Sequence, residues 1–191
     1  TPEGVENLAS NGVDIVKIGI GGGGVCTTRI KTGIGYPQFS AIFDCVETAN
    51  ELGVHIISDG GITCAGDVAK AFGAGADFVM MGSILSGHQE SPGESVIEDG
   101  VEYKFFYGMS SKKANDKHNG GLKSYRTSEG KVVKMKCKGS IAETMLDIEG
   151  GLRSCCTYTN SKSLGELWKN AEFIQVGSQH NNLLDSMIVG H

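Results

Sequence analysis

Three apolar runs, each ending in glycine, constrain this chain most. "VDIVKI" runs into "GIGGGG", "VHIIS" (54–58) into "DGG", and "DFVMM" (77–81) into "GS". Helical patterns lie between them. Thr1-Pro2 reads as an N-cap followed by proline at the first helical position, with Val5, Leu8 and Ala9 on one face and Gly12 as the stop. Pro37 opens a second helix with Phe39, Ile42, Phe43, Val46 and Ala49 at helical spacing, and "GDVAKAF" is a third. "GVDIVKIG" (12–19) and "GADFVMMG" (75–82) share glycine, aspartate, valine and glycine in register, so a unit repeats. Short β-branched runs alternating with helices are the rhythm of a parallel sheet in an α/β fold. A closed eight-stranded barrel takes about 250 residues, so 191 residues cannot contain one alone.

A parallel sheet carries its functional loops at the carboxyl ends of its strands. Backbone N–H groups there, with no side chains in the way, make a phosphate cradle. Any one of these loops alone reads as a tight turn. Three on one edge point to a ligand with a phosphate and a ribose, whose hydroxyls Asp59 is placed to bind. Cys26 stands on the same edge, in "GIGGGGVCTTR" (19–29), flanked by hydroxyls. A thiol after a glycine loop is a candidate nucleophile, whereas Cys45, Cys64 and Cys137 read as buried packing groups. No CxxC or His/Cys spacing points to zinc. The glycine run also exposes carbonyls to which a monovalent cation could bind.

The second half has another character. "SVIEDGVEYKFFYG" (95–108) alternates around Asp-Gly and reads as a hairpin. The polar stretch 110–131 reads as a mobile flap, and "KVVKMKCK" (131–138) as a half-exposed strand. Glu129 in the flap is a solvated charge, or a proton-moving group once water is excluded. Ser140 and Glu143 form a capping box before a helix with Met145, Ile148 and Leu152. "SLGE" (163–166) forms another before Leu167 and Trp168, and "EFIQV" (172–176) is a closing strand. The expected division is 1–93 for β/α units, 94–139 for hairpin and flap, 140–176 for helices and closing strand, and 177–191 for a loosely held tail.

Charge and cysteine usage narrow the setting. A net charge of −5 argues against nucleic acid. No apolar run approaches the roughly 18 residues of a membrane span. The six cysteines, with Cys155 and Cys156 adjacent, read as reduced thiols in a cytoplasmic protein.

"GIGGGGVCTTR", "GYPQFSAI", "ISDGGI", "GDVAKAFGAGADFVMMG", "FYGMSS", "YRTSEGK" and "GGLRSCCTY" together resemble the IMP dehydrogenase/GMP reductase family of (β/α)8 barrels. "FYGMSS", "SEGK" and "CCTY" resemble its reductase side. The likeness runs in order from about residue 2 to residue 176. It implies the C-terminal portion of a TIM barrel with an inserted flap, and NADPH-dependent conversion of GMP to IMP with release of ammonia. Cys26 then matches the nucleophile, with Thr28 and Glu129 handling the leaving amine's proton. Asp59, Gly60, Gly61, Gly82 and Ser83 match ribose and phosphate positions. Gly108, Met109, Ser110 and the run Arg126, Thr127, Ser128, Glu129 and Gly130 match base-binding segments. Met109, Tyr125, Arg126, Ser154, Cys155, Cys156 and Thr157 match positions near NADPH. Gly21, Gly23, Cys26 and Arg29 match a potassium site.

The likeness also implies a homotetramer, and this chain as the C-terminal part of a longer enzyme, inactive by itself. IMP dehydrogenase and a non-catalytic nucleotide-binding half-barrel are the alternatives. The family's loop usually reads "GIGPGSVCTT"; Gly22 and Gly24 stand here in place of its proline and serine. That exchange implies weaker nucleotide binding.

Overall fold

A computed structural model describes residues 1–177. Its first half alternates α1 (Pro2–Ser10), β1 (Ile15–Ile18), α2 (Thr28–Thr32), α3 (Gln38–Leu52), β2 (His55–Asp59), α4 (Ala65–Gly73) and β3 (Phe78–Met80). The three strands pair in parallel in the order β1-β2-β3, with Val16 opposite Ile56 and Ile57 opposite Phe78. The α/β expectation holds. This sheet is open among the described residues, and no closed barrel is seen.

Period-two alternation turns Val16, Ile18, Ile56 and Ser58 inward. Val5 from α1 and Ile42, Cys45, Val46 and Ala49 from α3 cover them. Burying Ile42 and Ile56 completely contributes about 1.5–3 kcal/mol each. Thr1 caps α1 through the Gly4 N–H, at 3.2 Å. Leu8 and Phe43, expected in the core, are about half exposed, because α1 and α3 meet the sheet over narrower stripes. Cys45 is buried as expected. Cys64 is exposed at the N-cap of α4 and Cys137 is half-buried, so neither is a core thiol.

The second half forms an antiparallel sheet, β4 (Ser95–Glu98), β5 (Val101–Tyr107) and β6 (Val132–Lys136). The expected hairpin turns at Asp99-Gly100, both at positive φ. The stretch read as a flap is partly ordered: α5 (Lys112–His118) begins at Ser111, whose hydroxyl accepts the Ala114 N–H at 3.1 Å. An N-cap supplied by a buried serine overrides a polar composition. α6 (Ile141–Tyr158) lies against α4, where a Cβ on Gly151 would come within 2.7 Å of the Ala65 side chain. Ile62, Val68, Ala71 and Ile148 form this second core.

Both capping boxes differ from expectation. The Ser140 hydroxyl accepts the Ala142 N–H, and the carboxylate that completes the cap comes from Glu90, which accepts from Ser140 Oγ at 2.8 Å and Ile141 N at 2.9 Å. Ser163 makes no side-chain cap; Glu166 reaches back to the Lys162 N–H, ahead of the single 3-10 turn Leu164–Glu166 and α7 (Leu167–Asn170). Residues 172–176 form no strand. Phe173 instead lies on Phe39, with ring centroids 4.6 Å apart. Apart from Gly177, the expected tail lies outside the described residues.

Glu90 makes α6 pH-sensitive. The Ser140 hydroxyl, and after it the Ile141 N–H, hold its carboxyl below the ordinary value of 4.5. The folded form therefore binds fewer protons than the unfolded form just below pH 4.5. The stabilisation is complete above that pH and is lost as pH falls through the folded value. Glu90→Gln should flatten this acid loss, read as unfolding midpoints between pH 3 and 6, on the order of that range. Parallel curves for parent and variant would contradict it. Ser140→Ala should cost about 1 kcal/mol at neutral pH.

Candidate active site

Gly130 stands where three loops cross. Cys26 bridges it in antiparallel fashion and Ser111 in parallel fashion. A Cβ on Gly130 would come within 2.9 Å of the Ser111 amide nitrogen and 3.2 Å of Gly108 Cα, so the crossing requires glycine. Around it, Lys131 N donates to Val25 O at 2.9 Å, Thr27 N to Glu129 O at 2.8 Å, and Glu129 N to Ser110 O at 3.1 Å. Ser128 Oγ accepts the Lys112 N–H at 3.0 Å and donates to Gly130 O.

This knot joins residues 101 positions apart. The Cys26 thiol donates to Thr28 Oγ1 at 3.2 Å, and the Thr28 hydroxyl donates to Glu129 Oε2 at 2.6 Å. All three are partly buried. The 2.6 Å separation is that of a charge-assisted bond. A proton can pass from sulfur to carboxylate, or from carboxylate back to a leaving group, along one hydroxyl. Thiol, hydroxyl and carboxylate are therefore aligned for nucleophilic attack with proton transfer.

Beside the knot is a cavity of about 130 Å³. Gly22, Gly23, Gly24 and Val25 after β1, Asp59 at the end of β2 with Gly60 to Thr63 after it, and Gly82 and Ser83 after β3 line it, with Met80 and Phe106. All three glycine loops thus meet at one site. Gly61 N donates to Gly22 O at 3.0 Å, which fixes two of them together. Asp59 forms an ion pair with Lys17 of β1. Burial pushes Asp67 up, but bonds from the Thr63 hydroxyl and N–H, with Lys70 nearby, hold it below the usual carboxylate range.

The cofactor positions are less gathered. Met109 and Tyr125 are 75% and 83% exposed, offering a thioether and a ring face to a planar group. Thr127 and Arg126 are exposed as well. Ser154 to Thr157 lie on α6, and among the described residues no hydrogen bond joins them to Met109, Tyr125 or Arg126. Burial, then the neighbouring Cys156, pushes the Cys155 thiol up, away from nucleophile chemistry.

For potassium, backbone oxygens of Gly21 and Gly23 are the right donors, although Gly23 O already accepts the Cys26 N–H at 3.0 Å. Arg29 fits only as support. Its guanidinium donates to Tyr36 O at 2.8 Å, its stem fills the space beside Gly21 and Gly35, and its carbonyl accepts Gly33 N. Among the described residues no group of three His, Cys, Asp or Glu side chains is placed to hold a metal.

Sequence reasoning missed four participants: Lys17, Phe106, Ser111, and Gln38, whose amide donates to Ile18 O and Ser58 Oγ at the ends of β1 and β2. One had a signal, a lone lysine inside an apolar strand.

Strand-end loops gathered around a thiol and a small cavity define an α/β protein with a composite site at one sheet edge. The chain belongs to the IMP dehydrogenase / GMP reductase family, whose model matches residues 1–182. It is 59% identical over 179 residues to GMP reductase of Vibrio vulnificus, covering 94% of this chain and 51% of that one. It is 57% identical over 183 residues to mouse GMP reductase 1, covering 96% and 53%. The chain spans about half the length of the curated relatives it matches. A crystal structure of GMP reductase from Trypanosoma brucei in complex with guanosine 5'-monophosphate superposes with a TM-score of 0.87 at 36% identity, over 100% of this chain and 39% of that one.

Proposed function

We propose that this chain carries the nucleophile, phosphate cradle and flap of a GMP reductase, which converts GMP to IMP and ammonia with NADPH. The Cys26–Thr28–Glu129 chain of hydrogen bonds is the observation that carries this reading. The thiol gives its proton through Thr28 to Glu129 and the sulfur bonds to C2 of the guanine. Glu129 returns a proton to the amino group, the carbon–nitrogen bond breaks, and ammonia leaves a thioimidate on Cys26. NADPH, when bound, supplies hydride to that carbon. The carbon–sulfur bond then breaks and Cys26 leaves as thiolate, with IMP as product.

The glycine loops would hold the phosphate and Asp59 the ribose hydroxyls. Gly108 to Ser110 and Arg126 to Gly130 would frame the base. Met109, Tyr125, Arg126 and Ser154 to Thr157 would hold NADPH, and the Gly21 and Gly23 carbonyls would hold potassium. The same likeness favours the C-terminal part of a TIM barrel in a cytoplasmic homotetramer. No helix among the described residues is long and apolar enough to cross a membrane.

The test is nicotinamide absorbance with GMP and NADPH, using the protein in its natural length. Loss of the NADPH band with formation of IMP supports the reading. Turnover of IMP with NAD instead assigns it to the dehydrogenase side, and GMP binding without turnover makes it a binding module.

Gly24 sets affinity in this reading. Its backbone lies outside the left-handed region, and a Cβ there would meet Ser83 Oγ at 3.1 Å and Ser83 Cβ at 3.3 Å. Serine therefore fits once the Ser83 side chain gives way by a few tenths of an ångström. One hydroxyl bond to a charged phosphate is worth about 1.5–3 kcal/mol. Allowing for the displaced Ser83, Gly24→Ser should tighten GMP binding about tenfold. An unchanged dissociation constant by calorimetry would contradict this.

A further inference from the structure

Lys104 is the one lysine in the buried set, 8% exposed on β5. Its ammonium has three protons and three carbonyl acceptors: His88 O at 2.8 Å, Gln89 O at 2.7 Å and Ser91 O at 2.9 Å. A fully satisfied buried cation of this kind is a rigid tie. What it ties matters. The turn at 88–91 is the end of the segment that begins at Gly82 and Ser83 in the cavity. That segment is stiffened by Ser86 Oγ donating to Ser83 O at 2.7 Å and by Lys138 N donating to Gly87 O at 2.8 Å. The turn is pinned at its far side, where the His88 ring meets Gly139 O and Thr144 Oγ1, and Glu90 caps α6.

On its own strand, Lys104 shares a face with Phe106, which lines the cavity, and β5 then runs straight into Gly108 at the loop crossing. Lys104 therefore links the segment that would hold a phosphate to the strand that would hold a base. Neither end touches the ammonium itself.

We propose that Lys104 is a positioning residue that fixes the spacing between the Gly82–Ser83 phosphate loop and the Gly108 base loop. It rests on the nucleotide reading given above. A ligand that spans two subsites gains from both only while their spacing is held. Lys104→Met removes the three bonds and keeps the apolar stem. It should weaken GMP by about tenfold to a hundredfold, because the two halves no longer bind as one. Guanosine and ribose 5-phosphate, each using one subsite, should change by less than about threefold.

Calorimetric titration of all three ligands, on the protein in its natural length, tests this. Equal weakening of all three, or unchanged GMP binding, overturns it. If Lys104→Met does not fold, Lys104→Arg is measured instead. Its planar head cannot donate to three carbonyls grouped around a point charge. Weaker GMP with unchanged fragments supports the tie, and unchanged GMP overturns it. Absence of GMP binding by the unmodified protein removes the nucleotide reading and this proposal with it. Normal GMP binding that ignores Lys104 removes this proposal alone.

Discussion

Cys26→Ala should abolish conversion of GMP, and Glu129→Gln should lower kcat by about 10²–10⁴. The two variants differ in what they leave behind. Without sulfur there is no covalent route. With glutamine the Thr28 hydroxyl still has an oxygen to donate to, so the 2.6 Å contact survives in kind. What is lost is the ability to take a proton from the thiol and return it to the amine. KM for GMP should therefore move less than about threefold, since an interaction lost only in the transition state appears in kcat. The measurement is initial rate of NADPH oxidation against GMP concentration. Cys26→Ala turning GMP over at the parent rate would remove Cys26 from the chemistry. A Glu129→Gln loss confined to KM would make Glu129 a binding group.

Much of this site was legible because its halves are local in sequence. Each glycine loop follows its own β-branched run, and parallel pairing alone brings the three together. Cys26 and Thr28 are two residues apart. Glu129 is different. It is separated from Thr28 by 101 positions, and in the sequence it is one charge in a polar stretch. No spacing rule connects it to a thiol. Its placement depends on Gly130, a residue whose need for no side chain arises only when Ser111 and Gly108 cross it. Family resemblance supplied what periodicity could not.

The failures have similar causes. The flap hid α5 because its cap, Ser111, looks like one serine among many until burial shows it. The α6 cap took its carboxylate from Glu90, fifty residues upstream of Ser140, since a local Glu143 cannot compete with a carboxylate already held in the 88–91 turn. "EFIQV" has strand composition, but Phe173 found a ring to lie on instead of a sheet edge. In each case a tertiary contact outweighed a local preference.

Gly19→Ala should be the most destabilising single-methyl change in the first sheet's loops. Gly19 leaves β1 at φ +146, where L side chains are strained. The added Cβ would lie 2.0 Å from the Asp59 carbonyl oxygen and 2.7 Å from Gln38 Oε1. Neither neighbour can move aside. Asp59 ends β2, which is paired on both sides, with β1 and with β3. Gln38 is held by its amide, whose Nε2 donates to Ile18 O at 2.8 Å and Ser58 Oγ at 3.1 Å, while its buried Oε1 has no partner to lose. Relief therefore requires the β1–β2 strand ends to part, which also separates the nucleophile loop from Asp59. The expected cost is at least about 4 kcal/mol, in the range reached only by backbone clashes and core collapse. Gly33→Ala is the matched control. It shares a positive φ, +72, but no atom lies within 4 Å of its added Cβ, so only the left-handed backbone costs, about 1 kcal/mol. For a chain of this size each kcal/mol moves the melting temperature by about 2–4 °C. Melts of the two variants side by side should show Gly33→Ala a few degrees below the parent and Gly19→Ala at least about 10 °C below it, or unfolded. Equal melting temperatures would mean that the strand ends yield more easily than their pairing implies, and that the loop carrying Cys26 is not held by this contact.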